Sequence, residues 1–212
     1  MAAADLESFM SLAPDTLTNF GNGPAIDGSG LLTSLLVQAG DTLTFKYNFL
    51  TDEVFDAGNT INDFAFFTVN GVATPFADVV TLPLVASSSG FASETGYQSF
   101  QFVFATGGPV LLGFGVTNVT DDTFDSALLI DAITLNTTLA TNGGFETGHF
   151  TGFSTIGDAQ IVGLYGSAPP EGSFQALLTT KSVPEPASLM MLSLGSAATL
   201  FRMRNRTKKA IA

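Results

Sequence analysis

The sequence predicts an all-β fold, an antiparallel β-sandwich or jelly roll, with a short N-terminal helix and a C-terminal apolar helix. Three observations carry that expectation. Charged residues make up 12% of the 212 residues, against about 25% in an average globular domain. Thr, Ser, Asn and Gly fill the polar positions instead, and 22 Gly and 20 Phe suit short strands joined by tight turns. Several segments also alternate apolar and polar residues with period two, as half-buried strands do. A helical bundle would need Glu, Lys and Arg on its exposed faces, and the chain has few of them.

Taken in order, Leu6, Phe9 and Met10 have helical spacing and predict a short helix near the start. Residues 42–50 place Leu43, Phe45, Tyr47 and Phe49 on one strand face, and residues 99–106 do the same with Phe100, Phe102 and Phe104. Residues 64–69, 110–116 and 126–135 read as more fully buried strands. Asn70-Gly71 and Thr106-Gly107-Gly108 supply turn chemistry between them. These elements are expected to form one β-sandwich domain over residues 1–180, with a separate tail over 181–212.

Charge is unevenly distributed. The formal net charge is −12. Residues 1–180 contain a single basic residue, Lys46, while Arg202, Arg204, Arg206, Lys208 and Lys209 crowd the end. A nucleic-acid partner is excluded on these grounds, because phosphate neutralisation needs clustered Lys and Arg. An acidic surface suits divalent cations, neutral glycans or plain solubility. With no Cys there is neither a disulfide framework nor thiolate chemistry.

The C-terminal segment reads Val183-Pro184-Glu185-Pro186, then an uncharged stretch over 187–201, then the basic cluster. The prolines hold the backbone extended. As a helix the apolar stretch would span roughly 22 Å, short of the ~20 residues a bilayer crossing usually takes. The basic end would stay cytoplasmic, leaving the body outside. On physical grounds this is a membrane-stop or processing signal, or else a buried core helix. The three-part order resembles the PEP-CTERM sorting signal, with Val183, Pro184, Glu185 and Pro186 as its motif and Arg202, Arg204 and Arg206 as its basic end. The resemblance covers about residues 182–209. It implies recognition in the inner membrane by an exosortase, cleavage near Pro-Glu-Pro, and a Gram-negative, exopolysaccharide-producing host. It supplies an address and no activity. The N-terminal residues show no basic, apolar and small-residue order of a secretory signal. The start is therefore expected to lie downstream of the true one, or the chain to be a fragment.

The body resembles carbohydrate-binding-module-like jelly rolls common in proteins with this tail. The residues that carry the likeness include Ala39-Gly40-Asp41-Thr42-Leu43, Asn62-Asp63-Phe64-Ala65-Phe66, Leu129-Ile130-Asp131 and Asn142-Gly143-Gly144-Phe145-Glu146. In such jelly rolls the Asn-Gly-Gly-Phe-Glu element opens the domain and an Asp in the last strand closes it. Here the order is reversed. Residues 142–180 are thus either the start of a second repeat or permuted strands that complete the first domain.

Candidate chemistry centres on carboxylates. Asp52, Glu53 and Asp63 sit at the ends of predicted strands where loops converge, and Ca²⁺ takes six to eight oxygen ligands of such kinds. Asp131 and Glu146 form a second pair, and the resemblance implies a structural Ca²⁺ there. Solvated turn residues and strand caps are the bland alternative for both groups. Asp121-Asp122 reads as a solvated turn. Tyr97, Tyr165 and Phe153 are candidate sugar-stacking residues, while Phe is more often core than platform. His149 follows Thr147-Gly148 in a turn, without the orienting partners that nucleophilic catalysis needs. The expected function is that of an exported, non-enzymatic protein of the extracellular matrix or exopolysaccharide layer, with a glycan-binding module as the alternative.

Overall fold

A computed structural model describes residues 1–54, 61–80 and 83–180. The expected C-terminal apolar helix and the sorting residues fall outside the described residues. The body, residues 1–181, forms one compact unit.

The body is built from two antiparallel sheets. The first has five strands in the order β11(Ser154–Ile156), β1(Ala25–Val37), β8(Gly108–Val119), β3(Phe64–Val69), β4(Val72–Asp78). The second runs β12(Asp158–Val162), β13(Gln175–Thr179), β9(Ser126–Leu135), β2(Thr42–Thr51), β6(Ser93–Glu94), β5(Val85–Ala86). In addition, β7(Gln98–Val103) pairs with β2, and β10(Thr138–Leu139) pairs with β9. The alternation read from residues 42–50 is real. Phe45, Tyr47 and Phe49 of β2 point into a core that they share with Phe67 of β3, Phe114 and Val116 of β8, Leu128 and Ile130 of β9, and Leu178 of β13. One apolar face of each sheet therefore lines the same interior, the arrangement that removes most apolar surface from water. Phe45 sits at its centre, with ring centroids of Phe114 at 4.9 Å, Phe100 at 5.3 Å and Phe76 at 5.4 Å.

The expected short helix is α1(Ala3–Phe9), followed by a single-turn α2(Thr16–Phe20). They cover the outer face of the five-stranded sheet, where Leu6, Met10 and Leu17 pack on Phe64, Phe66 and Val119. Gly30 and Gly113 make this docking close. A Cβ on either would run into Met10. The Glu7 carboxylate is buried and accepts the N–H groups of Asp15 (3.0 Å) and Leu17 (2.8 Å), so it satisfies donors at the start of α2.

Asn70-Gly71 closes the β3–β4 hairpin with both residues at positive φ, +50° and +76°. The Thr106-Gly107-Gly108 segment instead carries the chain from one sheet to the other, since β7 pairs with β2 whereas β8 pairs with β1 and β3. Residues 142–180 lie within this compact unit: β11 adds to β1, and β13 lies between β9 and β12. Phe145 is fully buried in the shared core, with Phe150, Phe153 and Ile161 against it.

Candidate functional site

The apolar interior between the sheets ends in a polar layer. Strand alternation carries the inward face of β2 from Phe49 to Thr51, that of β9 from Leu128 to Ser126, and that of β13 from Leu178 to Thr180. Ser126 Oγ joins the layer together, bonding Thr51 Oγ1 at 2.9 Å and donating to Asp63 Oδ2 at 2.7 Å. Asp63 Oδ1 accepts the Val119 N–H at 2.8 Å. Asp63 is wholly buried. The β3–β8 register, Phe64 opposite Thr117 and Ala65 opposite Val116, continues to place Asp63 opposite Asn118. Asn118 also follows Phe114 and Val116 in alternation, so it faces the same interior.

Glu53 stands two residues beyond Thr51, whose Oγ1 accepts the Glu53 N–H at 2.9 Å. The residue is 6% exposed, and its Oε1 has no hydrogen-bond partner among the described residues. The same is true of Asn62 Oδ1 and of both polar atoms of the fully buried Asn118. A buried polar atom left unpaired costs about 1–3 kcal/mol, and native proteins carry few of them. Burial, joined by the nearby charge of Asp121, pushes the Glu53 and Asp63 carboxyls up to about 7. Backbone N–H and Ser126 hydrogen bonds pull Asp63 the other way without cancelling the burial. Asp52, expected with these residues, points elsewhere: its Oδ1 accepts the Ala92 N–H at 2.8 Å, a strand-end cap.

The second carboxylate group surrounds the loop into β13. Asp131 Oδ2 accepts the Glu171 N–H, and Glu146 Oε1 accepts those of Ser173 and Phe174, all at 2.8 Å. Asp131 and Glu146 thus grip one four-residue loop from its two ends. Burial, and after it the charges of Glu171 and Glu146, lift the Asp131 carboxyl to about 7 against its two backbone hydrogen bonds. Glu171, which sequence reasoning missed, packs its carboxylate against Gly144. A cavity of about 370 Å³ opens beside it, lined in part by Asn142, Gly144, Glu146 and Glu171. The Asn142 side chain organises the turn over 142–151, donating to the carbonyls of His149 and Thr151. His149 itself is exposed in that turn. Among the described residues no three His, Asp or Glu side chains converge closely enough to hold a metal unaided.

The three candidate stacking residues separate. Tyr97 and Tyr165 pack on one outer patch of the eight-stranded sheet with Leu50, Leu129 and Leu177. The Tyr97 hydroxyl donates to Gln175 Oε1. Phe153 lies against Phe145 at 5.2 Å between ring centroids, as part of the core.

With the body's geometry in place, the tail can be compared with known families. Residues 182–206 match the PEP-CTERM protein-sorting motif. A PEP-CTERM motif supports an exported protein, sorted by its C-terminal signal, held first at the membrane and processed by exosortase, itself a membrane protein. The match takes in Val183-Pro184-Glu185-Pro186 and the basic residues Arg202, Arg204 and Arg206. No curated protein and no solved structure matches the chain. No helix among the described residues is long and apolar enough to cross a membrane.

Proposed function

We propose that this chain is a non-enzymatic component of the extracellular matrix or exopolysaccharide layer of a Gram-negative bacterium, with a jelly-roll-like sandwich body delivered by its PEP-CTERM tail. The observation that carries the reading is the sorting motif at 182–206 joined to a body with a single basic residue. The buried carboxylates favour a non-catalytic body: Asp63 and Asp131 both accept hydrogen bonds from the protein's own backbone. General acid–base work instead needs carboxyls within reach of a substrate. Exosortase cleavage near Pro184-Glu185-Pro186 would release the body to the surface. An acidic, rigid, Cys-free two-sheet domain then suits a hydrated polysaccharide layer.

The test is to express the full chain behind an export signal in an exosortase-bearing strain and in its exosortase-deficient derivative, then to fractionate both. The body is expected in the matrix fraction of the first strain, shortened at the tail. Replacing Pro184, Glu185 and Pro186 with Ala is expected to leave it full-length at the membrane. Full-length protein at the membrane in both strains would overturn the reading.

A glycan-binding module is the second reading, and the pairing of Tyr97 with Tyr165 on one outer patch favours it. Saturable binding to one purified polysaccharide, lost in Tyr165→Ala, would move the assignment to that class.

A further inference from the structure

We propose that the polar end of the inter-sheet core is a calcium site, with Glu53, Asp63 and the amide oxygen of Asn118 as side-chain ligands and Asn62 beside them. Two observations of different kinds meet there. The first is charge: Glu53 and Asp63 are buried near one another and near Asp121. The second is unmet hydrogen bonding. Glu53 Oε1, Asn62 Oδ1 and Asn118 Oδ1 are oxygens on residues more than nine-tenths buried, and none has a hydrogen-bond partner among the described residues. Alternation along β8 and the continued β3–β8 register aim Asn118 at the face occupied by Asp63.

A divalent cation resolves both conditions at once, because it offsets two buried carboxylates and takes the unpartnered Glu53 and Asn118 oxygens as ligands. The donor set selects the ion. Carboxylates mixed with amide oxygens in a shell finished by main-chain carbonyls and water suit Ca²⁺, whereas Mg²⁺ demands near-ideal octahedral geometry and keeps more of its water. Two carboxylates alone do not make a cage, so the Asn118 amide oxygen is a required member of the set. The ion would tie β2 of one sheet to β3 and β8 of the other at the end where Ser126 already bridges them.

The experiment titrates CaCl₂ into the chelator-treated full chain in mild detergent, with MgCl₂ as control. Calorimetry and the thermal midpoint are read together. One calcium per chain is expected, with a Kd within about 10⁻⁶–10⁻³ M and a midpoint that rises with calcium. Glu53→Gln removes a ligand charge and Asn118→Leu an oxygen ligand, and each should weaken binding at least about tenfold. Hydrogen exchange on the unaltered chain reads the same question without a variant: calcium should protect residues 61–66 and 116–126. Absence of calcium binding would overturn the proposal. So would unchanged affinity in both variants, or protection confined to 171–176 with binding lost in Glu171→Gln.

Discussion

At the scale of single residues, the core depends on Phe45. Its ring is fully buried and meets those of Phe76, Phe100 and Phe114 within 5.4 Å. Phe45→Ala is expected to cost about 3–5 kcal/mol, because the surrounding rings can close the cavity only in part. Denaturant unfolding measures this, as a fall in midpoint with an unchanged slope. Asp63 presents the opposite case, a buried charge held by Val119 and Ser126. Asp63→Ala strands both donors and should cost about 1–3 kcal/mol in chelator, by the same measurement.

At the scale of elements, the two helices are attached through contacts only small residues permit. Gly30→Val puts a branched side chain where Met10 lies and should lift α1 off the sheet. Limited proteolysis would then cut the first twenty residues faster. Gly90→Ala is the control, since a Cβ there meets nothing within 4 Å. Strand β4 contains Pro75, which removes a ladder donor and fits its place at the edge of the five-stranded sheet. The 171–174 loop is held by Asp131 and Glu146, so Glu146→Gln should speed amide exchange at Ser173 and Phe174 more than elsewhere.

At the scale of the whole molecule, acidity should control stability. Glu53, Asp63 and Asp131 titrate near 7 in the fold, above the ordinary carboxylate range, chiefly through burial. Between that range and about 7 the folded state holds protons that the unfolded chain has released. Stability therefore falls as pH rises through this window, and the penalty is complete above it. In chelator, the thermal midpoint is expected to rise as pH is lowered from 8 to 6. A midpoint that falls over that interval would contradict the burial of these carboxyls. The last segment of the body, residues 142–180, is equally global in effect. A chain ending at Thr141 loses Phe145 from the core and β13 from beside β9, and is expected to show no cooperative unfolding transition.

Much of the strand pattern was legible because period-two alternation is a local property. Residues 64–69 and 126–135 are strands β3 and β9, and residues 42–50 lie within β2. Strand β1 was not legible. Its Gly28, Ser29 and Gly30 break the alternation, because that outer face must admit α1. Of the polar end, Glu53 and Asp63 stood out as charges at strand ends. Asn62 stood out with them as Asp63's neighbour; Asn118 did not, nor did Glu171 of the second carboxylate group, because an amide or carboxyl without charge partners in sequence looks like any surface residue. The sequence by itself determined the β class, the acidic body and the C-terminal address, all of which depend on composition, local periodicity or contiguous motifs. Only the tertiary structure decided that Glu53 parts from Asp52 and meets Asp63, and that residues 142–180 pair with β1 and β9. Those outcomes depend on strand register and sheet order, which arise from contacts between residues distant in the chain.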